Sequence, residues 1–153
     1  MVISTEMLEH AEYWEKTISN IKNICVPGGL MLLTTRSKGF GYHAYPHDYW
    51  RYEKEDMEKI FSDCEILEIE KDNQAAGIFI KARKPLGFKE KDLSKYELYS
   101  IVTGKKMHKI EDKDRKNLHF YKIILKLQIN HVIYVINKTI RDFIKFLVRW
   151  DSV

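Results

Sequence analysis

The stretch VISTEMLEHAEYWEKTISNIKNICVPGGLMLL, residues 2 to 33, runs from a short apolar segment through a longer patterned one to a Pro-Gly-Gly break and a second apolar segment. Within it Leu8, Ala11, Trp14, Ile18, Ile21 and Ile24 recur at steps of three and four, which places them on one face of a helix. Glu6, Glu9, Glu12 and Glu15 gather in the first turns, where a helix N-terminus favours acids, and Pro27, Gly28 and Gly29 end the segment. Strand, helix, turn and strand in this order predict two parallel neighbours joined by a right-handed crossover. Open parallel sheets bind their ligands beyond the carboxyl ends of the strands. The residues in that position are Thr5, Glu6 and His10 after the first strand and Thr35 to Tyr52 after the second.

Length and composition set the frame around this unit. A chain of 153 residues suffices for one domain that buries roughly two-thirds of its unfolded surface. Its 44% hydrophobic and 31% charged residues are those of a soluble globular protein. Cys25 and Cys64 stand far apart inside apolar segments, which excludes a dense disulfide scaffold and the ligand spacing of a zinc ribbon. The opening residues have no signal-peptide pattern, and a reduced, cytoplasmic setting is expected. The net charge of +4 is unevenly spread: residues 1–85 hold 11 basic against 14 acidic residues, whereas 86–153 hold 15 against 8. Two parts are therefore expected, an α/β domain over 1–85 and a basic, mainly helical extension over 86–153.

Between them lie further elements. Residues 34–52, TTRSKGFGYHAYPHDYWRY, have neither a helical nor an alternating period, and loops of this length in compact domains tend to be lids or binding loops. EKEDMEKIFSD from Glu53 predicts a short helix with Met57, Ile60 and Phe61 inward. The runs 64–70 and 76–83, separated by turn-rich KDNQA, predict an antiparallel hairpin. Residues 86–117 predict only short elements. From Leu118 to Trp150 the pattern is one long helix with Ile129, Ile133, Ile136, Ile140, Phe143, Ile144 and Leu147 on a stripe, and Lys138, Arg141, Lys145 and Arg149 on another.

VISTEMLEH, PGGLMLLT, the loop HAYPHDYWRY and the terminal IKARKP together resemble the C-terminal half of the class I S-adenosylmethionine-dependent methyltransferases, close to the group called methyltransferase type 11. The resemblance spans about residues 2–85. It implies a partial Rossmann-like methyltransferase sheet in which residues 2–5 are the fourth strand, 30–35 the fifth and 64–83 the antiparallel terminal hairpin. The implied cofactor is S-adenosylmethionine, met at the strand tip by Ser4, Thr5 and Glu6, and the implied reaction is methyl transfer to a small-molecule acceptor. The family's glycine-rich loop after the first strand and the acidic residue ending the second have no counterpart among these residues. The expectation is a methyltransferase-like half, inactive without its N-terminal part, which a separate chain or an extended reading frame would supply.

The resemblance makes His10 the catalytic candidate, as a base or a substrate-orienting group, and the alternative is a capping histidine in an acidic turn. Arg36, His43, Tyr49 and Arg51 are the acceptor-binding candidates, with Arg51 as an anion clamp. The alternative is a loop locked by its own aromatics, with Asp48 and Arg51 as a structural ion pair. No metal is expected: His43 and His47 are four apart, but in a loop containing Pro46 that spacing does not align them, and no cysteine is close. Three readings stay open for the long helix: packing on the domain, meeting a partner helix or a second copy, or lying peripherally on an anionic membrane through 118–150. Nucleic acid is not expected, because the basic charge comes without a recognition motif. A functional alternative of another class is a non-catalytic interaction module that pairs through an exposed sheet edge or the basic helix.

Overall fold

A computed structural model describes residues 1–43 and 47–150 of the chain, with side chains described as far as residue 145. Two compact units divide at Arg115 and Lys116. The first therefore runs past residue 85, the boundary that the charge distribution suggests. Residues 86–115 add Leu93, Leu98, Val102 and Ile110 to its core.

The first unit is mixed α/β. Strand β1 (Val2–Thr5) pairs in parallel with β2 (Leu30–Arg36), with Val2 opposite Met31 and Thr5 opposite Thr34. The hairpin β4 (Glu65–Lys71) and β5 (Gly77–Arg83) joins antiparallel through β5, giving the order β1-β2-β5-β4. A smaller antiparallel sheet is formed by β3 (Trp50–Arg51), β6 (Leu98–Ser100) and β7 (Lys105–Met107). Helices α1 (Trp14–Ile24) and α2 (Lys54–Ile60) complete the unit. Side chains alternate across the larger sheet. Met31, Leu33, Thr35, Ile78, Ile80 and Ala82 are buried on one face, while Ile3 and Phe79 are exposed on the other.

The crossover is shorter in α-helix than its period predicts. Only Trp14–Ile24 is α-helical, and Leu8–His10 form a single 3-10 turn after Glu6, whose φ of 51° is left-handed. The reason is competition for backbone carbonyls. Tyr52 Oη donates to Leu8 O, Tyr49 N to Glu9 O, and Trp50 Nε1 to Ala11 O at 3.2, 2.9 and 2.9 Å. Those acceptors are the ones an α-helix through this segment would use. Of the four predicted first-turn acids only Glu15 lies in the first turn of α1, and Ile24 is exposed instead of sharing the buried face of Trp14, Ile18 and Ile21.

The C-terminus of α1 is capped from a distance. The buried Lys84 Nζ donates to Lys22 O and Cys25 O, at 2.8 and 2.9 Å, satisfying carbonyls that the helix end leaves open. The chain then turns through Val26-Pro27-Gly28-Gly29, closed by Gly29 N to Val26 O at 2.8 Å. Proline at the second position and Gly28 at φ 77° in the third match a type II turn. Cys25 and Cys64 are free thiols.

Helix α3 (Leu118–Trp150) is the main element of the second unit. Within this chain its apolar stripe is exposed: Ile129, Ile133, Ile136, Ile140, Phe143 and Ile144 are each between 50% and 59% exposed. The side chains of Leu147 and Arg149 lie outside the described residues. No described helix is long and apolar enough to cross a membrane.

Two substitutions test the turn. Gly28→Ala places a β-carbon on a left-handed residue and is expected to lower stability by about 1–2 kcal/mol. Gly29→Ala brings its β-carbon to 2.8 Å from Val26 O and 2.9 Å from Cys25 Sγ, so the turn must open. Urea unfolding should show both midpoints reduced, and an unchanged midpoint in either would contradict this account.

Candidate functional site

The carboxyl ends of β1 and β2 lie side by side because the strands are parallel and in register. Leaving β1, Glu6 turns back onto β2: its Oε1 accepts from Thr34 Oγ1 at 2.8 Å, and its Oε2 pairs with Arg36 Nε. Arg36 also faces Asp72 at 3.7 Å and lies over the Phe40 ring at 4.1 Å. Ser4 Oγ is buried without a hydrogen-bond partner, and Thr5 is exposed.

Next along the chain, the 3-10 turn presents Glu9 and His10. Glu9 is fully buried, and its Oε2 accepts from Thr35 Oγ1 of β2 at 2.9 Å. Burial holds the Glu9 carboxyl above the ordinary carboxylate range, against the lowering effect of that hydrogen bond. Its Oε1 has no hydrogen-bond partner and stands 3.8 Å from His43 Nε2. The His10 and His43 rings meet edge to face at 4.8 Å. His10 Nδ1 donates to His47 O; His43 Nδ1 donates to Gly41 O at 3.4 Å and lies 2.9 Å from Asp48 Oδ2, which accepts from the backbone N–H of His43 at 2.9 Å.

Asp48 and Arg51 are 1% exposed and form a bidentate pair at 2.5 and 2.7 Å. The other guanidinium donors reach Phe40 O, Trp50 O and Gly41 O. All five N–H groups of an arginine are thereby engaged. Arg51 is thus a buried organiser of the loop and not an anion clamp. Tyr49 is also buried, with its hydroxyl near Glu12 and Arg115, each at 3.4 Å, and burial raises its pKa.

Of the sequence-derived candidates, Glu6, His10, Arg36 and His43 come together beyond the two strand ends, while Tyr49 and Arg51 serve the interior of the loop. His10 does not share an α-helical face with Glu6, since the segment is not an α-helix there. Tyr45 and Pro46 of the loop lie outside the described residues. Glu9, which reads as a first-turn helix acid in the sequence, is instead the buried carboxylate at the centre of the group. Its apolar neighbours, Leu8 before it and Ala11 after it, are the only local hint of burial. Comparison with protein-family models, with curated proteins and with solved structures found no match to this chain.

The buried pair predicts a specific pattern of stability. Asp48→Asn leaves the Arg51 charge buried and unpaired, and Arg51→Met does the same to Asp48, so each single variant is expected to lose about 3–5 kcal/mol. The double variant should lose much less than the sum of the two. Chemical denaturation of the four proteins measures the coupling, and additive losses would show that the pair does not act as a unit.

Proposed function

We propose that the first unit is the C-terminal half of a class I methyltransferase-like domain, which transfers a methyl group from S-adenosylmethionine to a small acceptor. The observation that carries the reading is the gathering of Glu6, His10, Arg36 and His43 beyond the carboxyl ends of two parallel strands, where open α/β sheets bind ligands. The motif resemblance of residues 2–85 supports it further, as does an antiparallel hairpin completing the same sheet. In this reading His10 and His43 face the acceptor and Arg36 borders it. Toward the cofactor the chain offers Ser4 Oγ, buried and unpartnered, but the Glu6 carboxylate is already engaged by Thr34 and Arg36, and among the described residues no glycine-rich loop follows β1. These residues fit one rim of a cofactor pocket and no more.

A second reading, an interaction module, is favoured by the uncovered sheet. β1 pairs on one side only, and Ile3, Leu67 and Phe79 are exposed. Parallel strands are ordinarily covered on both faces, and a bare edge templates pairing. The occupant that suits both readings is a polypeptide carrying the strands and glycine-rich loop of the methyltransferase family, encoded with this chain or apart from it.

The cofactor assignment predicts weak binding with a defined location. Titrating S-adenosylhomocysteine into the isotopically labelled 153-residue chain should give non-saturating amide shifts confined to Ser4–Glu6 and the neighbouring turn. Shifts elsewhere, no shifts at all, or tight saturable binding by this chain alone would each count against the assignment.

A further inference from the structure

Glu9, His10 and His43 form a constellation that methyl transfer does not require. One ligand atom from each lies within 4.8 Å of the others. The set is two imidazoles and a carboxylate, drawn from the turn after β1 and from the loop after β2. What distinguishes it from a chance cluster is how each group is held. Metal-bound histidines generally donate their second ring N–H to a carboxylate or backbone carbonyl, which selects the tautomer and aims the ring. Both histidines here do so through Nδ1, His10 to His47 O and His43 to Gly41 O, with Asp48 Oδ2 2.9 Å from the same His43 nitrogen. With the proton on Nδ1, Nε2 of each ring is a lone-pair donor. Asp48 is itself locked by Arg51.

The carboxylate is held in the same way. Thr35 Oγ1 donates to Glu9 Oε2, leaving Oε1 buried, without a hydrogen-bond partner, and aimed at His43 Nε2. A buried carboxylate oxygen without a partner is costly, and a bound cation is one way to offset that cost. We propose that Glu9 Oε1, His10 Nε2 and His43 Nε2 bind a divalent first-row transition metal ion, with coordination positions left open toward solvent.

The chemistry narrows the ion. Imidazole nitrogen with one carboxylate suits zinc, iron(II), cobalt or nickel better than magnesium or calcium, which prefer oxygen. Bonds of about 2.1 Å set tetrahedral ligand atoms roughly 3.4 Å apart. The 3.8 Å between Glu9 Oε1 and His43 Nε2 is within a few tenths of an ångström of that value. Three protein ligands with an accessible fourth position is the pattern of a reactive site and not of a closed structural one. The spacing of His43 and His47 in the sequence points to the wrong partner: His47 contributes only its carbonyl. This assignment stands independently of the methyl-transfer reading.

The test is a titration of Zn²⁺ into the metal-stripped full chain, followed by calorimetry and by ring ¹⁵N signals of the six histidines. Saturation at one ion per chain is expected, with the Nε2 resonances of His10 and His43 shifting and those of His108, His119 and His131 unmoved. Glu9→Gln retains an acceptor for Thr35 but removes the anionic ligand, and His10→Ala removes a partly exposed ring. Each should weaken binding by more than about 10-fold, and Thr35→Val by about 10- to 100-fold through the loss of its hold on Glu9. Thermal melts of the metal-free variants establish folding, and should Glu9→Gln not fold, His10→Ala and the histidine spectra decide alone. A wild-type titration without saturation, unchanged affinity in His10→Ala, or shifts at the other histidines would overturn the assignment.

Discussion

The buried ion pair of Asp48 and Arg51 is the constraint on which the site depends. Among the described residues of the loop, 37–43 and 47–49 belong to no regular element, and a loop of that kind forfeits backbone entropy of about 1–2 kcal/mol per ordered residue. A single guanidinium offsets part of this by collecting the carbonyls of Phe40, Gly41 and Trp50 together with the Asp48 carboxylate. Buried pairs of this type add little net stability over an apolar replacement, yet removing one member is severe. Their use here is positional. Asp48 accepts from the backbone N–H of His43 and lies 2.9 Å from its ring Nδ1, so the pair that orders the loop also sits against the imidazole.

The same loop reshapes the segment it packs against. Its C-terminal end, Tyr49 to Tyr52, takes three backbone carbonyls between Leu8 and Ala11. Trp50 and Tyr52 are fully buried, and each finds a partner for its polar atom there, as aromatic side chains with a polar end must. A hydrogen bond to a buried donor is worth more than one helical turn at an unsupported N-terminus, where the nucleus is costly. Helix gives way to a 3-10 turn, and this turn directs Glu9 inward toward Thr35 while His10 stays partly exposed. Two electrostatic decisions, Asp48 with Arg51 and Glu9 with Thr35, thus set one geometry from opposite sides.

Methyl transfer and metal binding make different demands on this geometry. The proposed methyl transfer would need a cofactor wall, toward which these residues offer only Ser4 and its neighbours, together with further strands against the open sheet. The second needs nothing beyond three side chains and their supports, all within the first unit. An ion at that place would sit beyond the ends of β1 and β2, held by the turn after the first strand and the loop after the second.

Much of the architecture was readable from the sequence. The parallel pair, its helical crossover, the Pro-Gly turn, the short helix from Lys54 and the terminal hairpin follow from periodicity and turn chemistry, which are local and survive without tertiary context. The region of the candidate site was readable too, because strand direction alone says which residues leave the carboxyl ends of β1 and β2. The sequence could not say that Arg51 is buried, that Glu9 is a core carboxylate rather than a helix-cap acid, or that His10 partners His43 and not a residue at regular spacing. Burial and pairing of charges depend on which segments meet, here residues 8–12 with 47–52, some forty positions apart. Such a meeting leaves no period in the chain, and its hydrogen bonds outweigh the local preference that a period records.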